Sequence, residues 1–206
     1  MKTKIAVAAL ICGATSAFGQ NLLTNPGFED GLNGWNVFGN AYPEAANPPE
    51  IVPFEGNGVA KMFGNFSGGF DVTGIFQEFV AAPGQTWEMD AYSRHWSGDA
   101  MVGNGAPDAN WVVMKIVFKD AADAEIGFAE STILDGTFAT DTWFDNAPVS
   151  GVAPAGTVQV EAFILYLQPF NDGGAAHIDN VSLIPAPASA ALLGLGGLVA
   201  TRRRRA

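Results

Sequence analysis

Asn25-Pro26-Gly27-Phe28-Glu29-Asp30-Gly31-Leu32-Asn33-Gly34-Trp35, near the start, and Ala176-His177-Ile178-Asp179-Asn180-Val181, near the end, decide the fold of this chain. The first is a tight polar turn, since Asn and Gly supply positive φ and Pro pre-sets a negative one. It carries one apolar anchor (Phe28) and one carboxylate (Glu29) before Trp35 enters a strand. The second is a closing strand with a carboxylate, Asp179, between the apolar Ile178 and Val181. Strand signals fill the interval, so an antiparallel sandwich whose first and last strands lie side by side is the economical arrangement.

Outward from these two stretches the pattern stays at period two. Val59 to Phe63 alternates after a hairpin-like Glu55-Gly56-Asn57-Gly58 turn. Thr73 to Ala81 is strand-like and ends at a Pro83-Gly84 turn. From Trp87 to Trp96, Trp87, Met89 and Ala91 share one face, while Glu88, Asp90, Tyr92, Arg94 and Trp96 share the other. Residues 97–110 form a long Gly/Asn/Asp loop. In Trp111 to Lys119, Val112, Met114, Ile116 and Phe118 face inward, and Trp111, Lys115 and Lys119 face outward. An acidic turn at 120–125 precedes an ambiguous strand from Ile126 to Leu134. Val158 to Leu167 is apolar on both faces, as a central strand should be. No stretch has sustained helical periodicity. The expected class is all-β, an antiparallel β-sandwich of the jelly-roll kind.

Both ends have the composition of processing segments. Residues 1–19 have a basic start (Lys2, Lys4), an apolar run and a small-x-small end at Ala17-Phe18-Gly19, the marks of a secretory signal peptide. Cys12, the single cysteine, falls within it, so residues 20–184 offer neither a disulfide nor a thiol. At the other end, Pro185-Ala186-Pro187 leads into an uncharged run from Ala190 to Ala200 and then Arg202 to Arg205. That run is shorter than the roughly 20 apolar residues a bilayer span needs. Between the ends stands one domain of about 165 residues, enough for a single core. It keeps 4 cations against 21 anions. Such acidity excludes nucleic-acid binding, which depends on cations that neutralise phosphate.

The opening Asn25-Pro26-Gly27-Phe28-Glu29…Gly34-Trp35 and the closing Ile178-Asp179-Asn180-Val181 resemble those of carbohydrate-binding modules of the galactose-binding-like jelly-roll type. The resemblance spans about residues 21–184. It implies a structural calcium ion held by Glu29 and Asp179. The 185–206 tail resembles the PEP-CTERM sorting signal read by exosortase, with Ala186 where that signal has Glu. It implies export, transient anchoring in the membrane through the tail alone, and release to the cell surface or beyond.

Tyr92, Arg94, Trp96 and Trp111, on outward faces of two successive strands, are the candidate ligand-binding residues. Aromatic rings give the C–H-rich faces of sugars a flat apolar platform, and charged groups can bridge hydroxyls. The 97–110 loop or the 40–54 segment could instead cover one of these rings. His95 and His177 have no metal-ligand spacing, and no Gly-x-Ser-x-Gly or His-Glu-x-x-His stretch occurs. The expected function is therefore non-catalytic: an exported surface or matrix protein that binds polysaccharide, associated with exopolysaccharide. The alternative is a structural matrix protein with a calcium-stabilised jelly roll and no sugar site.

Overall fold

A computed structural model describes residues 19–102 and 109–186. Residues 1–18 of the leader and most of the sorting tail lie outside these described residues, as does the middle of the 97–110 loop. Eleven strands form two antiparallel sheets: β1 (Asn36–Phe38), β2 (Asn40–Ala45), β3 (Gly58–Phe63), β4 (Asp71–Val80), β5 (Thr86–Arg94), β6 (Trp111–Lys119), β7 (Glu125–Asp135), β8 (Phe144–Asp145), β9 (Val149–Val152), β10 (Gln159–Gln168) and β11 (Ala175–Ala186). One sheet runs β1-β4-β10-β6-β7 and the other β2-β3-β11-β5-β8, with β9 also paired to β5. The only helical element among the described residues is a 3₁₀ turn, Ser97–Asp99. No described helix is long and apolar enough to cross a membrane.

The inward faces follow the alternation of the sequence. Trp87, Met89 and Ala91 of one sheet and Val112, Met114, Ile116 and Phe118 of the other are all buried in one core. Val160, Ala162, Ile164 and Tyr166 complete it from β10, whose flanking positions make it the centre of its sheet. The ambiguous 126–134 segment pairs along the whole of β6 with two register shifts. Bulges of this kind bend a strand and blur its period. Pro43 sits in β2, at the edge of its sheet, the position in a sheet that admits a residue without an N–H donor.

The expected neighbour relation of the chain ends differs in one respect. β1 pairs with β4 in the opposite sheet, and β11 lies between β3 and β5. It is the segment before β1 that runs beside β11. Leu22 N–H donates to the Leu183 carbonyl, Val181 N–H to Pro26, and Asn21 donates through Nδ2 to Val181 and accepts from Leu183 N–H. These residues have too few ladder bonds to count as a strand, yet they tie the two ends together.

The opening turn is laced by Asn25. Its Nδ2 donates to the carbonyls of Gly31 and Asn33, and its Oδ1 accepts from Asp30 N–H. Its own carbonyl receives Trp35 Nε1–H at 3.1 Å. That bond satisfies the indole as it packs 5.4 Å from the buried Phe28 ring. Phe28 adopts a φ of 57°, a left-handed conformation worth about 1–3 kcal/mol of strain, tolerated because the ring is locked in the core.

Gly58, at the start of β3, lies directly against the Phe28 carbonyl, where a Cβ would overlap backbone. Gly58→Ala is expected to destabilise the domain by about 1–3 kcal/mol, as overpacking does. Thermal unfolding should show a fall of several degrees, at about 2–4 °C per kcal/mol for a domain of this size. An unchanged midpoint would mean that the turn yields freely.

Candidate functional site

Glu29 and Asp179 act on one loop, from its two sides. Asp179 is 0 % exposed. Its Oδ2 accepts from Phe54 N–H and Glu55 N–H, at 2.8 and 3.1 Å, and its Oδ1 from Asn180 N–H at 2.7 Å. Burial pushes its carboxyl up to about 6, against the pull of these amide bonds. Glu29 accepts from Asn57 N–H with both oxygens and from Gly58 N–H with Oε1. Gly56, at φ +58°, lets the loop close onto the Glu29 carboxylate, because any Cβ there would occupy the same space. The donors are hard oxygens of the kind calcium takes, but all four are turned toward backbone amides. Among the described residues no three His, Cys, Asp or Glu side chains gather as a metal cluster.

The four candidate ligand-binding residues do not share a surface. β5 and β6 belong to opposite sheets, so Trp111 lies on the far side of the molecule from Tyr92, Arg94 and Trp96. Trp111 approaches the exposed Phe70 ring at 6.4 Å. Along the same outward face, Phe38, Lys115, Phe163 and Leu165 line a groove of about 400 Å³. Tyr92 is not an open platform. Phe54 stacks on it, with ring centroids 3.7 Å apart and planes 16° apart.

Arg94 is only 2 % exposed, although the strand pattern directs it outward. The 46–54 and 138–143 segments fold over this end of β5. Arg94 Nη1 donates to the Glu50 carbonyl at 2.7 Å and lies 3.2 Å from His177 Nδ1. Nη2 donates to the Pro49 carbonyl and to Asp141 Oδ1. Burial pulls the guanidinium below its ordinary value, and Asp141 opposes that. Asp141 also accepts from Ser97 N–H. Hydrogen bonds from Ser97 and the Arg94 charge hold its carboxyl below the usual range.

Above this buried guanidinium opens a cleft of about 670 Å³. Trp96 and Trp143 contribute indoles to its walls, Pro48, Pro49 and Val52 contribute apolar surface, and Ser97 and Asp141 contribute polar groups. Trp143 Nε1–H donates to the Val52 carbonyl at 2.9 Å, which fixes the indole plane. Sequence reasoning missed Trp143. The signal available was a bare Thr142-Trp143-Phe144 run, and no periodicity placed it beside Trp96.

His177 lies beneath the cleft, buried, with Nε2 facing no partner among the described residues. Burial, then the charges of Arg94 and Lys61, lower its pKa to about 4 from 6.5. The unfolded chain takes up a proton near pH 6.5 that the folded chain refuses until about pH 4. His177 therefore withdraws stability as the pH falls through that window. Asp179 works in the opposite direction between about 6 and 3.8, where the folded chain holds the extra proton. In a comparison with His177→Gln, which keeps Asp179, that contribution cancels. The melting-temperature advantage of the wild type over the variant is expected to shrink from pH 7 to pH 4. A constant difference would mean that His177 titrates normally.

No protein-family model and no curated protein matches the chain. Solved structures do. The chain is similar to TmCBM61, solved in complex with β-1,4-galactotriose, at 16 % identity and a TM-score of 0.51, covering 81 % of this chain and 99 % of that one. It is similar to the CBM22-1 xylan-binding domain of Paenibacillus barcinonensis Xyn10C, at 16 % identity and a TM-score of 0.51, over 83 % and 97 %. The enzymatically active domain of tailspike protein 4 from bacteriophage CBA120 is similar at 11 % identity and a TM-score of 0.55, over 80 % of this chain. This chain spans 21 % of that protein's length. At these identities the likeness establishes the β-sandwich fold.

Proposed function

We propose that this chain is an exported, non-catalytic protein that binds polysaccharide in the cleft between Trp96 and Trp143. The observation that carries the reading is that cleft: two indoles and two prolines around a polar pair, Ser97 and Asp141. Flat apolar walls receive sugar rings, and a few placed polar groups fix their hydroxyls. That two similar structures are a galactotriose complex and a xylan-binding domain supports the same reading. Arg94 acts as a positioning residue that holds the Pro49–Glu50 wall and orients Asp141. The PEP-CTERM-like tail supports delivery to the cell surface by an exosortase-type enzyme and association there with exopolysaccharide.

Trp96→Ala and Trp143→Ala are each expected to weaken retention on an immobilised polysaccharide about tenfold, equivalent to about 1.4 kcal/mol. Trp111→Ala, on the opposite sheet, is expected to leave retention unchanged. Affinity electrophoresis across a polysaccharide panel reads this, with melting temperatures as the folding control and reducing ends counted to detect cleavage. Loss of retention in Trp111→Ala alone would move the site to the opposite sheet, beside Trp111, Thr132 and Asp135. Release of reducing ends would replace binding with hydrolysis.

Calcium is a separate proposal. An ion shared by Glu29 and Asp179 would add to their amide bonds, and a metal that binds only the folded chain stabilises by mass action, about 2.7 kcal/mol at a hundredfold excess over its dissociation constant. A chelator is then expected to lower the melting temperature of the wild type and not that of Asp179→Ala. Equal wild-type midpoints in calcium and in chelator would assign the clamp to the amides alone.

A further inference from the structure

The described residues contain four cationic side chains, and each is held in an ion pair. Lys61 pairs with Glu50 and lies 4.0 Å from Asp99. Arg94 pairs with Asp141 at 3.2 Å. Lys115 lies 3.6 Å from Glu125 and 3.9 Å from Glu130. Lys119 contacts Asp123 at 2.9 Å and Glu161 at 2.8 Å. No described cation is left over for a carboxylate or sulfate that arrives on a ligand.

The cleft sharpens this general condition. Its two charged groups are Arg94 and Asp141, and they are unequally presented. The Arg94 side chain is 3 % exposed, with Nη1 and Nη2 turned to backbone carbonyls, His177 and Asp141. The Asp141 side chain is 45 % exposed. A ligand entering the cleft therefore meets a carboxylate, while the compensating cation stays behind it. Moving Arg94 outward to meet an anion would give up its bonds to Pro49 and Glu50, which hold the cleft wall. A carboxylate at the rim accepts hydrogen bonds from hydroxyls, and such charge-assisted bonds are stronger than neutral ones. Toward a second anion the same group is repulsive, and the negative field of the whole domain adds to it.

We infer that the cleft takes an uncharged glycan, whose hydroxyls donate to Asp141 and whose ring faces lie on Trp96 and Trp143, and that it rejects chains bearing uronic acids or sulfate esters. The inference rests on the polysaccharide reading above and narrows it to a chemical class.

The test changes the charge on the ligand and leaves the protein intact. Retention of the mature domain is compared on neutral xylan, on β-1,4-galactan, and on glucuronoxylan and polygalacturonan before and after carboxyl reduction, all in chelator. Retention is expected on at least one neutral or carboxyl-reduced polymer, and at least tenfold weaker on its acidic parent. Asp141→Asn, with folding checked by melting temperature, is expected to narrow that ratio. Should Asp141→Asn fail to fold, the wild-type comparison of reduced and unreduced polymers decides alone. Equal or tighter retention on the acidic parent overturns the inference while leaving glycan binding standing. Retention on none of the polymers overturns the glycan reading and this inference with it.

Discussion

A carboxylate sealed from water and met by backbone amides is the constraint on which this structure depends. Asp179 is fully buried, and leaving such a group without donors would cost several kcal/mol. Three backbone N–H groups meet it, and two belong to Phe54 and Glu55. The loop before β3 must therefore stay closed whenever the last strand is in place. Two further anchors act on the same segment. Arg94 takes the carbonyls of Pro49 and Glu50, and the Trp143 indole takes that of Val52. All three grips fall on backbone atoms, so the wall of the cleft is fixed in shape, and its side chains are left to set what it touches.

The faces of the strands were legible in the sequence, and the partnership of the sheets was not. Alternation placed Trp87, Met89, Ala91, Val112, Met114, Ile116 and Phe118 in the core correctly, because burial of one face imposes period two. The same alternation says nothing about which sheet a strand joins. β5 and β6 are consecutive in the chain and sit in opposite sheets, so Tyr92 and Trp111, both outward, face apart. Arg94 was misplaced for a related reason. Its strand directs it outward, and loops from residues 46–54 and 138–143 then cover it, a tertiary event no local pattern encodes. Trp96 lines the cleft beyond the end of its strand, and Trp143 arrives there from a segment with no period to read.

Glu29 and Asp179 stood out as carboxylates in turn-like or closing positions, and the structure does bring both to one loop. Their first task there is to satisfy amide donors, a role that any sequence with an acid opposite a tight Gly-rich turn could adopt. Gly56 and Gly58 are what make the approach close enough, since neither position has room for a Cβ. The acids and the glycines were visible separately. Their mutual fit was a matter of distance, which sequence spacing does not give.

β10 is the middle strand of one sheet and β11 the middle strand of the other, and these are the last two strands of the chain. Until residues 159–186 emerge, β4 and β6 on one side and β3 and β5 on the other have open edges and no strand between them. Neither sheet can close progressively from its N-terminal end, so folding waits for the chain to be nearly complete, and its decisive contacts are distant in sequence. A chain that threads through an export channel from its N-terminus would pass as an unclosed set of strands, held apart from its neighbours by like charge. On the proposed export route, the order of the strands delays the native state to the far side of the channel.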